Sequence, residues 1–233
     1  MYSKIFLSYL QIFNTITTVI LNISPIIVII PVVKGRDKYI NIPYLMLFFN
    51  LLNASCWGCY WYRMSFLIPV ISNYICGIIS LLFCIIYLYF FSRNSISRFC
   101  LYCPLLILSL AIIIFISLYV IKMKIFGVIL IFFNILMFIA PGQNLIRVIK
   151  EKNHKLIPIG TTIVGIICSG GWLFFGIIVN DINCIIPNLI GLLSSIFNTF
   201  IWIFFYVRTK IINKRNQLYS EETIDQKNKV EIK

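Results

Sequence analysis

Residues 141–188 read PGQNLIRVIKEKNHKLIPIGTTIVGIICSGGWLFFGIIVNDINCIIPN, and they repeat a pattern already present at residues 25–73. Both stretches contain a proline, a lysine, a second proline, a tryptophan and an asparagine in that order: Pro25, Lys34, Pro43, Trp57 and Asn73, then Pro141, Lys150, Pro158, Trp172 and Asn188. The spacings from the leading proline are 9, 18, 32 and 48 residues in the first stretch and 9, 17, 31 and 47 in the second, so one deleted residue aligns them. Helix-breaking and polar residues at matching positions of two hydrophobic halves indicate a transporter whose site lies between two repeats.

The composition predicts an all-α membrane protein. Of the 233 residues, 61% are hydrophobic and only 12% are charged, whereas about 25% are charged in soluble domains. Apolar runs of about 20 residues, long enough to span a bilayer as helices, recur along the chain. We predict seven transmembrane helices: Ile5–Val33, Asn41–Tyr62, Phe66–Phe91, Phe99–Ile121, Ile125–Ile149, Leu156–Val179 and Ile182–Val207. The first has no signal-peptide cleavage pattern, so we interpret it as a retained span.

The basic residues predict the orientation of these spans. Sixteen lysines and arginines fall on one side, in the loops after the first, third and fifth spans and in the tail, and only Lys4, Arg63, Lys122 and Lys124 fall on the other. The positive-inside rule then places the N-terminus outside and the C-terminus in the cytosol. We expect the plasma membrane, with an internal membrane as the alternative. We attribute the net charge of +13 to these cytosolic basic residues, which would also be attracted to anionic lipids of the bilayer. We expect no nucleic-acid partner.

Both copies of the repeat place their basic loop on the same side, so the two halves have the same orientation. A three-helix unit ends on the opposite face from its start, and repeating it in parallel requires one more crossing. The fourth span carries no counterpart of the repeated residues and supplies that crossing. We therefore predict a 3+1+3 architecture: a first repeat at 5–91, a linker helix at 99–121, a second repeat at 125–208, and a disordered cytosolic tail at 209–233.

Four prolines in register are predicted to act as hinges. Pro25 and Pro141 lie in the cytosolic halves of their spans, and Pro43 and Pro158 open the helices that follow. Proline removes a backbone hydrogen bond and loosens a helix locally. The alternative is that two of them are ordinary first-turn prolines and two are tolerated kinks.

The repeated asparagines and tryptophans are candidate ligand-binding residues. A carboxamide inside a span needs a partner, and the donors and acceptor of Asn73 and Asn188 match a pair of sugar hydroxyls. The alternative is that both bond to neighbouring helices. Trp57 and Trp172 offer flat faces that could stack on a pyranose ring; the alternative is a place in the aromatic belt at the outer interface.

The acidic and cysteine residues narrow the function further. None of the seven acidic residues lies inside a span, and the one nearest the outer side, Asp181, lies in a loop. Ion-coupled carriers usually rely on an intramembrane carboxylate, so we expect uncoupled transport of a neutral substrate. The eight cysteines are interpreted as apolar packing residues. No catalytic, phosphate-binding or metal-binding motif is present, so we expect neither an enzyme nor a cofactor.

The chain resembles the SWEET sugar transporters, a eukaryotic family built from two MtN3/saliva repeats, over about residues 6–208. The second half carries the clearest motifs: Ala140-Pro141, Arg147 to Lys150, Pro158, Trp172-x2-Phe175-Gly176, Asp181 and Ile186 to Gly191. The resemblance implies that Asn73, Asn188 and Trp172 bind sugar and that the four prolines flex during alternating access. It also implies that Asn53 and Cys168, one turn before each tryptophan, influence sugar size. The spacing from Pro43 leaves Ala54 as an alternative for the first of these positions.

The resemblance and the composition together predict a facilitative, bidirectional sugar transporter that works by alternating access. Its substrate would be a mono- or small disaccharide such as glucose. The alternatives are a PQ-loop carrier of amino acids or another small neutral solute, and a seven-span receptor. The sequence leaves open whether the chain forms a homo-oligomer.

Overall fold

The computed structural model describes residues 4–35, 44–91, 96–139, 142–157 and 159–231, and the secondary structure in these ranges is helical. The α-helices run as follows: α1 Lys4–Ile23, α2 Ile26–Val33, α3 Tyr44–Arg63, α4 Leu67–Phe91, α5 Ile96–Phe115, α6 Met123–Ile139, α7 Gly142–Glu151, α8 Ile159–Val179 and α9 Ile182–Glu231. A π-helical segment, Ile116–Val120, extends α5, and a 3₁₀ turn, His154–Leu156, precedes α8.

Five of the described helical stretches are long and apolar enough to cross a membrane: Lys4–Ile23, Leu67–Phe90, Cys100–Val120, Ile159–Val179 and Ile182–Arg215. The helix α3 is not among them, because Asn50, Asn53 and Arg63 lower the hydropathy of its 20 residues. The helix α6, Met123–Ile139, is also predominantly apolar. The chain is therefore a multi-pass membrane protein in which α3 is less hydrophobic than these five helices.

The helices pack in pairs that are related by the sequence repeat. In the first half α3 packs on α4, and in the second half α8 packs on α9. The helix α1 lies against α4 of its own half and α8 of the other, while α6 lies against α9 of its own half and α3 of the other. The helix α5 contacts α3 and α4, and its π-helical extension contacts α3. The two halves thus meet through the α1–α8 and α3–α6 contacts.

The first predicted span is broken into α1 and α2 at Ser24 and Pro25. Proline has no N–H to donate to the preceding turn, and the chain makes a turn there, with Ile27 donating to the carbonyl of Ser24. The peptide after the break resumes helical bonding when Ile29 donates to the Pro25 carbonyl. The other three predicted hinges, Pro43, Pro141 and Pro158, lie outside the described residues.

The last helix, α9, extends into the tail that follows the seventh predicted span. Residues 209–231, predicted to be disordered, continue α9 without interruption to Glu231. This stretch contains neither glycine nor proline, and lysine, glutamate and glutamine are good helix formers. The polar composition of residues 209–231 therefore indicates exposure to water and is compatible with a helix.

One end of the bundle holds most of the buried side chains. We call it the Asp181 end; α3 and α8 end there, and α4 and α9 begin there. Its core contains large aromatic residues from three helices, among them Trp61, Phe126 and Phe175. At the opposite end, which we call the His154 end, the ring of His154 packs edge-on against Trp202 and Tyr206 of α9. The predicted ligand-binding residues lie between these two ends.

Candidate functional site

Trp172 of α8 is held by a side chain from α1. Its indole Nε1 donates to the Thr18 hydroxyl at 2.7 Å, and the same hydroxyl donates to the Asn14 carbonyl at 2.6 Å. The thiol of Cys168, one turn before Trp172, lies 3.3 Å from the Thr18 oxygen. Two of the residues predicted from the sequence, Trp172 and Cys168, therefore meet at Thr18, which the sequence analysis did not identify. A threonine inside an apolar helix was the signal that could have pointed to it.

Three indole rings from α3 and α8 stack in series on the side of the bundle nearer the Asp181 end. Trp57 stacks on Trp61 with ring centroids 5.5 Å apart, and Trp61 stacks on Trp172 at 6.2 Å. Such parallel arrangements at these distances are favourable for aromatic pairs. The structure does not bring Trp57 and Trp172 into direct contact, because Trp61 lies between them. Trp61 follows Trp57 by four residues, the spacing that places two side chains on one face of a helix.

A buried polar contact joins the two halves at the Asp181 end. The Tyr60 hydroxyl lies 3.0 Å from both carboxylate oxygens of Asp181 and donates to them. Asn183 donates its side-chain amide to the Tyr60 oxygen at 3.1 Å and its backbone N–H to Asp181 at 3.0 Å. Gly127 of α6 leaves the space for Asn183, since a Cβ at that glycine would overlap its carboxamide. We call this group the Tyr60–Asp181 latch.

The latch changes the environment expected for Asp181. The sequence places this residue in a loop, and it does precede α9, but its side chain is only 7% exposed. A buried carboxylate is stable only when its oxygens receive hydrogen bonds. The Tyr60 hydroxyl and the backbone N–H of Asn183 in the first turn of α9 supply them. By accepting from that N–H, the Asp181 side chain acts as the N-cap of α9.

The repeated asparagines make the same local hydrogen bond. Asn73 donates its Nδ2 to the Pro69 carbonyl and Asn188 donates its Nδ2 to the Cys184 carbonyl, both at 2.8 Å. The thiol of Cys184 in turn donates to the Trp172 carbonyl at 3.4 Å, which links Asn188 to α8. Both side chains are half-buried. Each carboxamide has a second N–H and an oxygen beyond this bond, and in the described part of the chain no hydrogen bond joins the two asparagines.

Asn53 and Ala54, the alternatives for the first-repeat pocket position, have different surroundings. The Oδ1 atom of Asn53 is enclosed and has no hydrogen-bond partner among the described residues. Ala54 is buried towards α4, where a Cβ on Gly77 would lie 4.0 Å from its methyl group. Ala54 therefore contributes to packing within the first half, whereas Asn53 carries an unused acceptor.

Two cavities lie away from these residues. One, of about 410 Å³, is lined by Phe48, Tyr87, Leu88, Tyr102, Leu105, Leu106 and Ser109, between α3, α4 and α5. The other, of about 330 Å³, lies beside the α1–α2 break and is lined by Ile20, Leu21, Ile23, Ser24, Ile26, Ile27, Gly160, Thr161 and Val164. Neither contains a predicted ligand-binding residue. Within the described ranges, no three histidine, cysteine or acidic side chains are close enough together to hold a metal ion.

The second half of the chain matches a known protein family. The family model described as "Sugar efflux transporter for intercellular exchange", MtN3/saliva, matches residues 124–210. The sugar transporter SWEET1 of Dictyostelium discoideum is 33% identical over 61 residues, which are 26% of this chain and 28% of that protein. The sugar transporter SWEET1 of Caenorhabditis elegans is 29% identical over 159 residues, 67% of this chain and 50% of that protein. The chain thus spans half or less of the length of these relatives.

A solved structure extends the comparison to the whole fold. The 3.7 Å structure of a eukaryotic SWEET transporter superposes with a TM-score of 0.75, covering 86% of this chain and 97% of that one at 18% identity. At this identity the likeness establishes the fold alone. The resemblance predicted from the sequence is confirmed: residues 124–210 match the MtN3/saliva family model, and the chain shares the fold of a SWEET transporter.

Proposed function

We propose that this protein is a facilitative sugar transporter that carries a mono- or small disaccharide such as glucose in both directions. One observation carries the proposal: the buried polar groups are amides and hydroxyls, with Asp181 the exception among the described residues. Amides, hydroxyls and flat indoles are the groups that suit a neutral ligand with many hydroxyls and apolar C–H faces. The relatives named above are sugar transporters, in agreement with this chemistry.

The proposed binding site combines residues from both repeats. Asn73 and Asn188 would offer their remaining donor and acceptor atoms to sugar hydroxyls, and Trp172 and Trp57 would provide stacking surfaces. Asn53 and Cys168, each one turn before a tryptophan, would limit the size of the sugar. The symmetric packing of α1, α3 and α4 with α6, α8 and α9 supports two parallel repeats at 5–91 and 125–208, joined by the linker helix at 99–121.

The proposed mechanism is alternating access, with the N-terminus and the Asp181 end facing outwards. The Tyr60–Asp181 contact and the stacked rings of Trp57, Trp61 and Trp172 would close the Asp181 end above the site in one state of the cycle. Opening that end requires the Tyr60–Asp181 contact to break and Trp61 to leave its position between Trp57 and Trp172. Because Tyr60 belongs to α3 and Asp181 precedes α9, the movement would separate the two repeats. The four prolines would permit the corresponding movement towards the cytosol.

Transport by the purified protein in proteoliposomes tests this function. A panel of radiolabelled mono- and disaccharides should include at least one that enters until the internal and external concentrations are equal. The same vesicles should not take up labelled amino acids above the rate of protein-free vesicles. Uptake of amino acids without uptake of any sugar would replace the proposal by the PQ-loop alternative.

A further inference from the structure

Asn14 is a buried carboxamide without a partner. The side chain is 0% exposed, and both its oxygen and its nitrogen are enclosed without a hydrogen bond among the described residues. Another buried asparagine behaves differently, since Asn134 donates to the Leu130 carbonyl at 2.9 Å. Unpaired buried polar groups are rare in native proteins because each costs free energy. We therefore expect the Asn14 carboxamide to form hydrogen bonds in another conformational state of the protein.

Asn14 lies on the face of α1 that packs against α8. Its carboxamide oxygen rests against Gly171, where an added Cβ would overlap it. One turn further along α1, towards the His154 end, Thr18 holds the indole of Trp172. One turn the other way, Gln11 is also buried. Asn14 therefore lies about 6 Å along the helix axis from Thr18, between the proposed binding site and the outer end of the bundle.

The second half of the chain indicates what packing alone requires at this position. The offset of 116 residues that relates Pro25 to Pro141 also relates Asn14 to Leu130. Leu130 is likewise 0% exposed and belongs to the apolar core. Leucine and asparagine have similar length and branching, so the equivalent helix packs well without any polar atom. The carboxamide of Asn14 is thus not a general requirement of this helix position.

We propose that Asn14 is a sugar-binding residue, an outer station that holds sugar hydroxyls when the Asp181 end opens. A carboxamide donates and accepts at once, which matches two neighbouring hydroxyls of a sugar. When the indole stack separates, the α1 face at Asn14 becomes accessible next to Trp172. A sugar would then contact Asn14 before it reaches Trp172 and the repeated asparagines. The inference rests on the proposed function and adds a residue that the repeat pattern does not contain.

The test compares the wild type with Asn14→Leu in proteoliposomes, using a sugar that the wild type transports. We expect Asn14→Leu to melt at the same temperature as the wild type or higher, because the unpaired polar group is gone. Its sugar flux at subsaturating concentration should fall at least tenfold. Thr15→Val is the matched control: Thr15 lies on the same helix and its hydroxyl is bonded to the Gln11 carbonyl, so flux should stay within twofold.

A series of deoxy-sugars separates binding from packing. For one deoxy-sugar, wild-type flux should be about tenfold lower than with the parent sugar. Asn14→Leu should transport that deoxy-sugar and the parent sugar at the same rate, because the partner of the missing hydroxyl is already absent. Equal losses in both proteins at every position, or wild-type flux in Asn14→Leu, would overturn the inference while leaving sugar transport intact. If Asn14→Leu does not fold, the amide is structural and the inference is also wrong. A wild type that transports no sugar overturns both proposals.

Discussion

Tyr60 connects two helices with a single hydroxyl group. It donates to Asp181 and accepts from Asn183, so its removal leaves a buried carboxylate with one donor fewer. Tyr60→Phe should therefore destabilise the closed Asp181 end by about 1–3 kcal/mol, the cost of an unsatisfied buried group. We expect faster hydrogen–deuterium exchange in the second half of α3 and at the start of α9, measured by mass spectrometry in nanodiscs.

Tyr62→Phe is the control for this experiment, because Tyr62 is exposed on the same helix two residues away. Its exchange rates should equal those of the wild type. Equal exchange in the wild type and Tyr60→Phe would show that the indole stack closes this end without help from the latch.

Asn73 and Asn188 each bond to the carbonyl four residues before them, and this local bond alone does not explain why both repeats have an asparagine. If the rest of the carboxamide binds sugar, Asn73→Ala and Asn188→Ala should each weaken binding by about 1–3 kcal/mol, or about 5- to 150-fold. Transport normalised to folded protein should fall accordingly. Thr199→Ala serves as the control, because Thr199 in α9 makes the same kind of bond, to the Ser195 carbonyl. Normal flux in both asparagine variants would favour the interhelical role.

At the scale of the helix, the α1–α2 break at Pro25 predicts an effect on movement and not on binding. Pro25→Ala restores an N–H donor and should make α1 and α2 more continuous. The rate of sugar counterflow should then fall several-fold, while the equilibrium dissociation constant changes less than twofold. Pro31→Ala is the control, since Pro31 lies inside α2 beyond the break and has no counterpart in the second repeat. A Pro25 variant that loses binding and exchange to the same extent would remove Pro25 from the hinges.

The helix α3 shows that hydropathy alone can miss a helix that lies inside a membrane-protein bundle. Its composition is too polar for it to rank with the five apolar spans, yet most of its residues from Leu51 to Trp61 are buried. It packs on α4, α5 and α6, so protein and not lipid surrounds its polar side chains. Polar helices are tolerated in membranes when they face the interior of a bundle.

For the whole molecule, the distribution of charge predicts passive transport. The one buried acid among the described residues, Asp181, is engaged in the latch, and the proposed site itself contains neutral groups. Uptake should therefore reach equal internal and external sugar concentrations, and sodium, a proton gradient or a membrane potential should not change this ratio. The measurement is the steady-state ratio in proteoliposomes with each gradient imposed separately. Accumulation under a proton gradient would assign Asp181 a coupling role.

The sequence by itself determined the class of the protein, the repeat and the family resemblance. Hydropathy and helix-breaking residues act locally, and a bilayer restricts a chain of this composition to helices. The same local logic predicts the break at Pro25. For residues 209–231 it predicts exposure to water, which does not by itself prevent the helix that α9 forms there. The predicted orientation, the roles of the asparagines and the 3+1+3 division remain predictions.

The tertiary structure decided which side chains meet. Tyr60 and Asp181 are 121 residues apart, and Thr18 and Trp172 are 154 apart, so no local pattern relates them. Trp61 lies between the two repeated tryptophans because its ring reaches Trp172 of α8, although α3 itself packs on α4, α5 and α6. Asn14 looks like any polar residue of an apolar helix until its neighbours are known. Burial and partnership depend on contacts between distant segments, and these exist only once the helices have packed.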